Sequence, residues 1–396
     1  MSWETVPLGE LIAPKKGSLV SGPFGSNIGS RFFVAEGVPV IRGNNITKGA
    51  QKFIEEGFVY LTEEKASEFP NCVATEDDII FTAAGSIGQV GLIPKERRYK
   101  NYIISNKQIR ARLDTEKADP LFVYYWLSSK RMVSYIESQN NGGAVPLLNL
   151  GIVRRLPVPL PSKNTQERIA AILSAYDDLI ENNRRRIALL EQAARLLYRE
   201  WFVHFRFSGH ETASFKDGLP ERWEVKQVKD LLLKVKAKPK VRKDEYEQVG
   251  SYPCVDQGQS FVGGFTNNSE AIYRDELPLI VFGDHTRALK YVDFPFARGA
   301  DGTQIIKSND DRLSQIQFYF ALINVDLSNY AYARHFKFLK DQEIILPDEG
   351  TGSHFTEIVQ TWFIQMQNLR DQNAQLTAAR DLLLPRLMDG RIPVSM

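Results

Sequence analysis

Cysteine is nearly missing from this chain: 396 residues contain two, Cys72 and Cys254, far apart in sequence. They make no disulfide framework and no cysteine-based metal site, which points to a reducing compartment and a cytoplasmic location. Long apolar runs are missing as well, and no stretch approaches the roughly 20 apolar residues that cross a bilayer. Met1-Ser2-Trp3-Glu4 lacks the basic start and apolar segment of a secretory leader, so none is expected. Charge of one sign is also lacking: 50 Lys and Arg stand against 48 Asp and Glu, a net +2. A strongly basic chain would advertise nucleic acid, so DNA binding here has to come from local patches. The 5 histidines show no ligand spacing, and no bound metal is expected.

Catalytic motifs are scarce too. Asp119-Pro120-Leu121-Phe122 comes near the Asp/Asn-Pro-Pro-Tyr/Phe of amino-methyltransferases, but Leu121 stands where the second proline belongs. There is no Gly-x-x-x-x-Gly-Lys-Ser/Thr phosphate cradle. Glu224-Val225-Lys226 is a lone Glu-x-Lys without an upstream metal carboxylate. The sequence therefore argues against a methyltransferase, an ATPase or a nuclease in this chain.

What is present is repetition. Trp3-Glu4-Thr5-Val6-Pro7-Leu8 returns 220 residues later as Trp223-Glu224-Val225-Lys226-Gln227-Val228. Each copy is a mixed lobe of short β-branched runs and one apolar helix. In the first copy these are Val38–Ile41, Asp78–Thr82 and Pro120–Leu127; in the second, Ser251–Val255, Pro278–Gly283 and Phe318–Leu322. Each copy then runs into a heptad pattern. Ile169, Tyr176, Asn183, Leu190 and Leu197 recur every seven residues, and Phe355, Trp362, Leu369, Leu376 and Leu383 repeat them 186 residues on. The spacing predicts helices over about 165–202 and 355–384, each a rod on the order of 55 Å or less. Thr165 has the form of a helix start, Pro385 and Gly390 of a stop, and Leu156–Pro161 of an extended linker. Asn183 within the apolar seam fits a register-setting polar residue.

The expected fold is α+β. Two similar mixed lobes, residues 1–161 and 209–348, are joined by two long antiparallel coiled-coil helices, residues 162–208 and 349–396, in a pseudo-twofold internal duplication.

Three stretches carry a family likeness. Gln166-Glu167-Arg168-Ile169-Ala170-Ala171-Ile172-Leu173-Ser174, with Asp177–Asn183 and Leu197–Phe205, resembles the central conserved region of type I restriction–modification specificity subunits. Leu382–Ile392 resembles their C-terminal conserved region, and the Trp-Glu openings with Gly85-Ser86-Ile87-Gly88 resemble their target recognition domains. The resemblance implies a non-catalytic subunit that binds double-stranded DNA, each lobe reading one half of a split site. It implies helices that act as a spacer and dock two methyltransferase subunits, and two restriction subunits where a cognate one exists. No cofactor is expected on this chain; S-adenosylmethionine and ATP belong to those partners. A coiled-coil scaffold whose lobes bind proteins is the alternative.

Several polar loops have the side chains for such reading. Arg bonds bidentately to guanine, and Asn or Gln to adenine. Candidates are Ser26 and Asn27 in a glycine-framed loop, Arg42, Asn44 and Asn45 after a strand, Lys107 and Gln108, and Asn140–Gly143. Ordinary turn chemistry would use the same residues. Ser86 and Gln89 flank glycines that let backbone N–H groups approach a phosphate, or simply close a tight turn. In the second lobe Lys234, Lys236, Lys238 and Lys240 follow where Lys15 and Lys16 stand in the first, as phosphate contacts or a solvated run. Gln257 matches the Arg42–Asn45 position, and His285, Thr286 and Arg287 replace the glycine turn.

Overall fold

A computed structural model describes residues 3–47, 52–139, 147–299, 301–330 and 334–394. It divides into two compact units, Met1–Arg184 with Arg370–Met396, and Arg185–Leu369. The chain is mixed α and β, with two long helices, Lys163–Phe202 and Glu349–Met388, of 40 residues each.

In the first unit, one antiparallel sheet runs in the order Leu19–Ser21, Gln108–Ala111, Ile79–Thr82, Val90–Leu92. A second runs Val59–Leu61, Val38–Ile41, Tyr102–Ile104, Val73–Ala74, with antiparallel, parallel and antiparallel pairings in turn. Ile79–Thr82 is buried at every position, so its apolar run serves both faces. Helix Pro120–Leu127 starts where Asp119 accepts the Phe122 N–H at 2.8 Å, with proline at its first position, where no N–H is needed. Its buried Phe122, Tyr124 and Leu127 join Ile169, Leu173 and Leu387 in one apolar core.

The proline-alternating stretch is extended, as its sequence requires, but it is a strand and not a free linker. Pro157–Pro159 pairs antiparallel with Thr5–Pro7, Val158 opposite Val6. The prolines cannot donate, and the flanking N–H groups of Leu160 and Leu8 bond across to Glu4 and Leu156, both at 2.8 Å.

In the second unit, Leu289–Val292, Leu279–Gly283 and Thr303–Ile306 form one antiparallel sheet. Gly264–Thr266, Tyr252–Val255, Phe296–Arg298 and Ile272–Tyr273 form another, again paired antiparallel, parallel and antiparallel. Glu224–Gln227 pairs with Glu343–Leu346. Helix Gln315–Ile323 is capped by Ser314, which accepts the Gln317 N–H at 3.1 Å.

The long helices contribute to both units. In the first, residues 163–184 lie against 370–388: Arg380 meets Asp177 at 2.8 Å and Asn183 meets Asn373 at 3.0 Å. In the second, Tyr198 and Phe202 pack on Phe355 at 5.8 and 5.1 Å between ring centroids. Of the heptad positions of the first helix, Ile169, Leu173, Ile180, Asn183 and Ala194 are buried, while Tyr176, Ile187, Leu190 and Leu197 are half-buried.

Helix limits differ from the sequence expectation. The first helix begins at Lys163 because the Ser162 hydroxyl accepts the Thr165 N–H at 3.3 Å. The second begins at Glu349, where Asp348 accepts the Thr351 N–H at 3.0 Å; Gly350 and Gly352 in its first turn had hidden that start. Burial pushes the Asp348 carboxyl up, but the bonds from Thr351 and Trp223 outweigh it and hold the group below its usual range. Pro385 does not stop the helix, which runs on to Met388; Gly390, at φ 66°, turns the chain away.

Candidate nucleic-acid interface

Four loops of the first unit meet at one edge of its two sheets. They follow from strand pairing, because residues 22–27, 42–45, 83–89 and 105–108 leave or enter paired strands at the same end. Gly22 donates to the Gln108 carbonyl at 2.9 Å, and a Cβ at Gly22 would lie 1.9 Å from the Ser105 oxygen. Ala83 donates to the Lys107 carbonyl at 2.7 Å. Gly85 and Gly88 have φ of 87° and 89°, so the turn between Ile79–Thr82 and Val90–Leu92 depends on glycine.

The side chains at this edge divide by role. Ser26, Asn27, Asn44, Ser86 and Lys107 are exposed, while Arg42 and Gln89 are partly covered. The Gln89 amide oxygen accepts the Thr82 hydroxyl at 2.8 Å. Asn45 and Gln108 are buried, 0 and 1 % exposed. Asn45 spends its amide on the carbonyls of Ile54 and Glu56, at 3.0 and 2.9 Å, and accepts the Arg42 N–H at 2.9 Å. Gln108 bonds the Ser105 hydroxyl; its amide, oriented to donate to Ile41 at 3.1 Å, accepts from Gly43 at 3.2 Å. Both therefore hold the loops in place. Asn44, beside them, donates to the Gly57 carbonyl at 3.1 Å.

Lys15 and Lys16 are exposed but stand at the other end of Leu19–Ser21 from Gly22. That end is fixed by Arg110, whose guanidinium donates to the Gly17, Asn71 and Val73 carbonyls and lies 3.7 Å from Asp78. Burial lowers the Arg110 pKa against the raising pull of Asp78. Asn140–Gly143 lie outside the described residues.

In the second unit Gln257, His285 and Thr286 come together. Gln257 donates to the Asp301 carbonyl at 3.0 Å and accepts the His285 N–H at 3.2 Å, while Thr286 donates to the Gln257 carbonyl at 2.5 Å. Arg287, at φ 61°, donates to Leu327 at 3.1 Å. His285, Thr286 and Arg287 are exposed. Lys234, Lys236 and Lys240 are exposed and Lys238 is half-buried, its N–H donating to the Tyr273 hydroxyl at 3.2 Å. The run reaches the loop cluster through Val241, which bridges Gly299.

Lys290 was not evident from sequence. Its side chain is 5 % exposed, and its ammonium donates to the Asp256 and Ser260 carbonyls at 2.8 and 2.6 Å. It thus ties both ends of the Gln257 loop. Burial lowers its pKa, opposed by Asp256 at 3.8 Å. The available signal was parity, because Lys290 shares the inward side of its strand with Val292. Beside it, burial and then Asp256 push the Cys254 thiol up to about 11. Among the described residues no group of three or more His, Cys, Asp and Glu could hold a metal ion, and no helix is long and apolar enough to cross a membrane.

Residues 2–192 match the family described as the type I restriction modification DNA specificity domain. The chain is 24 % identical over 384 residues to the MjaIX specificity subunit of Methanocaldococcus jannaschii, covering 90 % of this chain and 87 % of that one. It is 23 % identical to the HindI specificity subunit of Haemophilus influenzae, covering 74 % and 82 %. Among solved structures it resembles the S subunit of a type I restriction–modification system from M. genitalium, with a TM-score of 0.57 and 17 % identity over 98 % of this chain and 96 % of that one.

Proposed function

We infer the working of this chain from its family: it belongs to the type I restriction–modification specificity subunits, which select the DNA sequence and leave catalysis to partner subunits. The lobe of residues 1–161 reads one half of a bipartite duplex site and the lobe of residues 209–348 reads the other. One observation carries this. The same strand pairings present different polar loops at matching connections, Arg42–Asn45 against Asp256–Gln259, and Ser86 against His285–Arg287. A duplicated frame with divergent loops is what two readers of different half-sites require.

Within this reading, Ser26, Asn27, Arg42, Asn44, Gln89, Gln257, His285, Thr286 and Arg287 face base edges or the sugar–phosphate rails. Ser86 and Lys107 approach phosphates. Asn45 and Gln108 act beneath them as positioning residues. Lys15, Lys16, Lys234, Lys236 and Lys238 supply the sequence-independent electrostatic part of binding.

The segments 162–208 and 349–396 pair as an antiparallel coiled coil that sets the number of base pairs between half-sites. Two such helices related by a pseudo-twofold offer two equivalent docking faces, so two methyltransferase subunits bind one chain. Two restriction subunits join where a cognate one exists. S-adenosylmethionine and ATP are used on those partners, and the complex works in the cytoplasm, where the DNA is.

A gel-shift experiment with and without the methyltransferase partner tests the reading. It predicts a sequence-specific shift that competitor DNA lacking the site does not remove. A scaffold whose lobes bind proteins gives no specific shift under either condition.

A further inference from the structure

We propose that Phe24 is a stacking wedge that enters between two neighbouring base pairs at the half-site read by the first lobe, an inference that rests on the DNA-reading function above. The ring is 84 % exposed. Phe215, at 51 %, at least rests on Phe205 at 6.1 Å; among the described residues no aromatic ring packs on Phe24.

The loop beneath the ring is pinned. Pro23 fixes one backbone angle. Gly22 is bonded to Gln108 at 2.9 Å and closed to any side chain by the Ser105 carbonyl. Asn27 donates to the Phe24 carbonyl at 2.8 Å, and Arg31 donates to the Ser26 carbonyl at 2.8 Å. Ile28, 4 % exposed, anchors the far side in the core. A ring held out on a fixed loop loses little conformational entropy when it is buried by a partner.

The surroundings identify that partner as duplex DNA. Ser26 and Asn27 follow the ring in the same loop, and Asn106, whose amide nitrogen lies 3.0 Å from where a Gly25 Cβ would stand, brings Lys107 beside that loop; all four are exposed and able to bond phosphate or base edges. A protein-docking patch would be contiguous and apolar. A single apolar ring in a polar, partly basic frame matches the way wedge side chains part a base step while their neighbours hold the backbone. The wedge would make specificity at that step depend on how easily it unstacks, without a base-edge hydrogen bond.

The test uses the full chain with its methyltransferase subunit and duplexes carrying the site mapped from the methylated genome. 2-Aminopurine is placed in turn at each position of the first half-site and its flanks, omitting the target adenines, which methyltransferases flip out. Wild-type complex is expected to raise the fluorescence at one step. Phe24→Ala should abolish that rise and weaken specific binding roughly ten- to a hundred-fold, the loss typical of one base–aromatic stack. Phe24→Trp should keep both, and the second half-site should not respond. Specific binding by Phe24→Ala equal to wild type, with no 2-aminopurine signal in either, overturns the wedge and leaves DNA reading intact. Loss of methyltransferase assembly in Phe24→Ala also overturns it, by placing the ring in a protein contact. No specific binding by wild type removes both the wedge and the function it rests on.

Discussion

Arg380 and Asp177 form a buried ion pair 2.8 Å apart, each side chain only 7 % exposed, and it joins the two long helices within the first unit. Asp177 accepts the Tyr125 hydroxyl at 2.6 Å on its other oxygen, with the Lys52 ammonium 3.6 Å away. Burial and then Asp177 push the Tyr125 hydroxyl pKa up, so it stays a donor. Arg380 also reaches Asp381 at 2.6 Å. The lobe is thereby tied to the helix pair through fully engaged polar groups.

Removing one partner should strand the other charge. Arg380→Met or Asp177→Leu alone is expected to cost about 3–5 kcal/mol, whereas the double replacement should cost far less. Urea denaturation of the three variants checks this; a double variant as unstable as the worse single one would contradict it.

The seam gives a second prediction. Asn183 and Asn373 meet at 3.0 Å near the middle of both helices. Matched seven-residue insertions, after Asn183 and before Asn373, add about 10 Å at roughly 1.5 Å per residue and restore the same helix face. The non-specific gap should lengthen by up to about three base pairs, with both half-sites kept. Insertions of three residues should rotate the seam and lower the melting temperature. Methylated-site sequencing reads the gap, and an active heptad variant with an unchanged gap would show that the helices are not the ruler.

Changing Lys234, Lys236, Lys238 and Lys240 to Ala should weaken binding to every duplex alike. If all four touch phosphates, the slope of log K against log salt should become shallower by roughly 0.9 per contact. An unchanged slope returns the run to a solvated loop.

Acid should act through Asp310. Burial pushes this carboxyl up, but bonds from Arg312 and Lys226, at 3.3 and 3.0 Å, outweigh it and bring it from 3.8 to about 2. A carboxyl lowered on folding contributes stability fully above its unfolded pKa of about 4 and loses it as pH falls towards about 2. The gap in stability between wild type and Asp310→Asn should therefore shrink through that window. A gap independent of pH would contradict it.

Much of this was legible in the sequence because burial imposes a period. The heptads placed both long helices, and the apolar runs at Val38 and Asp78 placed central strands. Helix starts were misplaced where a cap two or more residues upstream decided the matter, at Ser162 and at Asp348. The candidate loops were harder. Asn44 and Asn45 are the same residue side by side, yet one is exposed and the other fully buried, and only the strand pairing around them decides which. Lys290 and Arg110 were missed because a buried cation is held by carbonyls distant in sequence. Phe24 lies in a loop whose glycines and polar residues mark it as exposed, but exposure of the ring itself was not legible, because apolar residues are expected inside.

The central claim is that two lobes read two half-sites independently. The most direct measurement is to replace residues 1–161 with the corresponding lobe of a relative and map methylated adenines across the genome. The account predicts that one half-site changes while the other half-site and the gap stay as in the native chain. A change in both half-sites, or in neither, would contradict it.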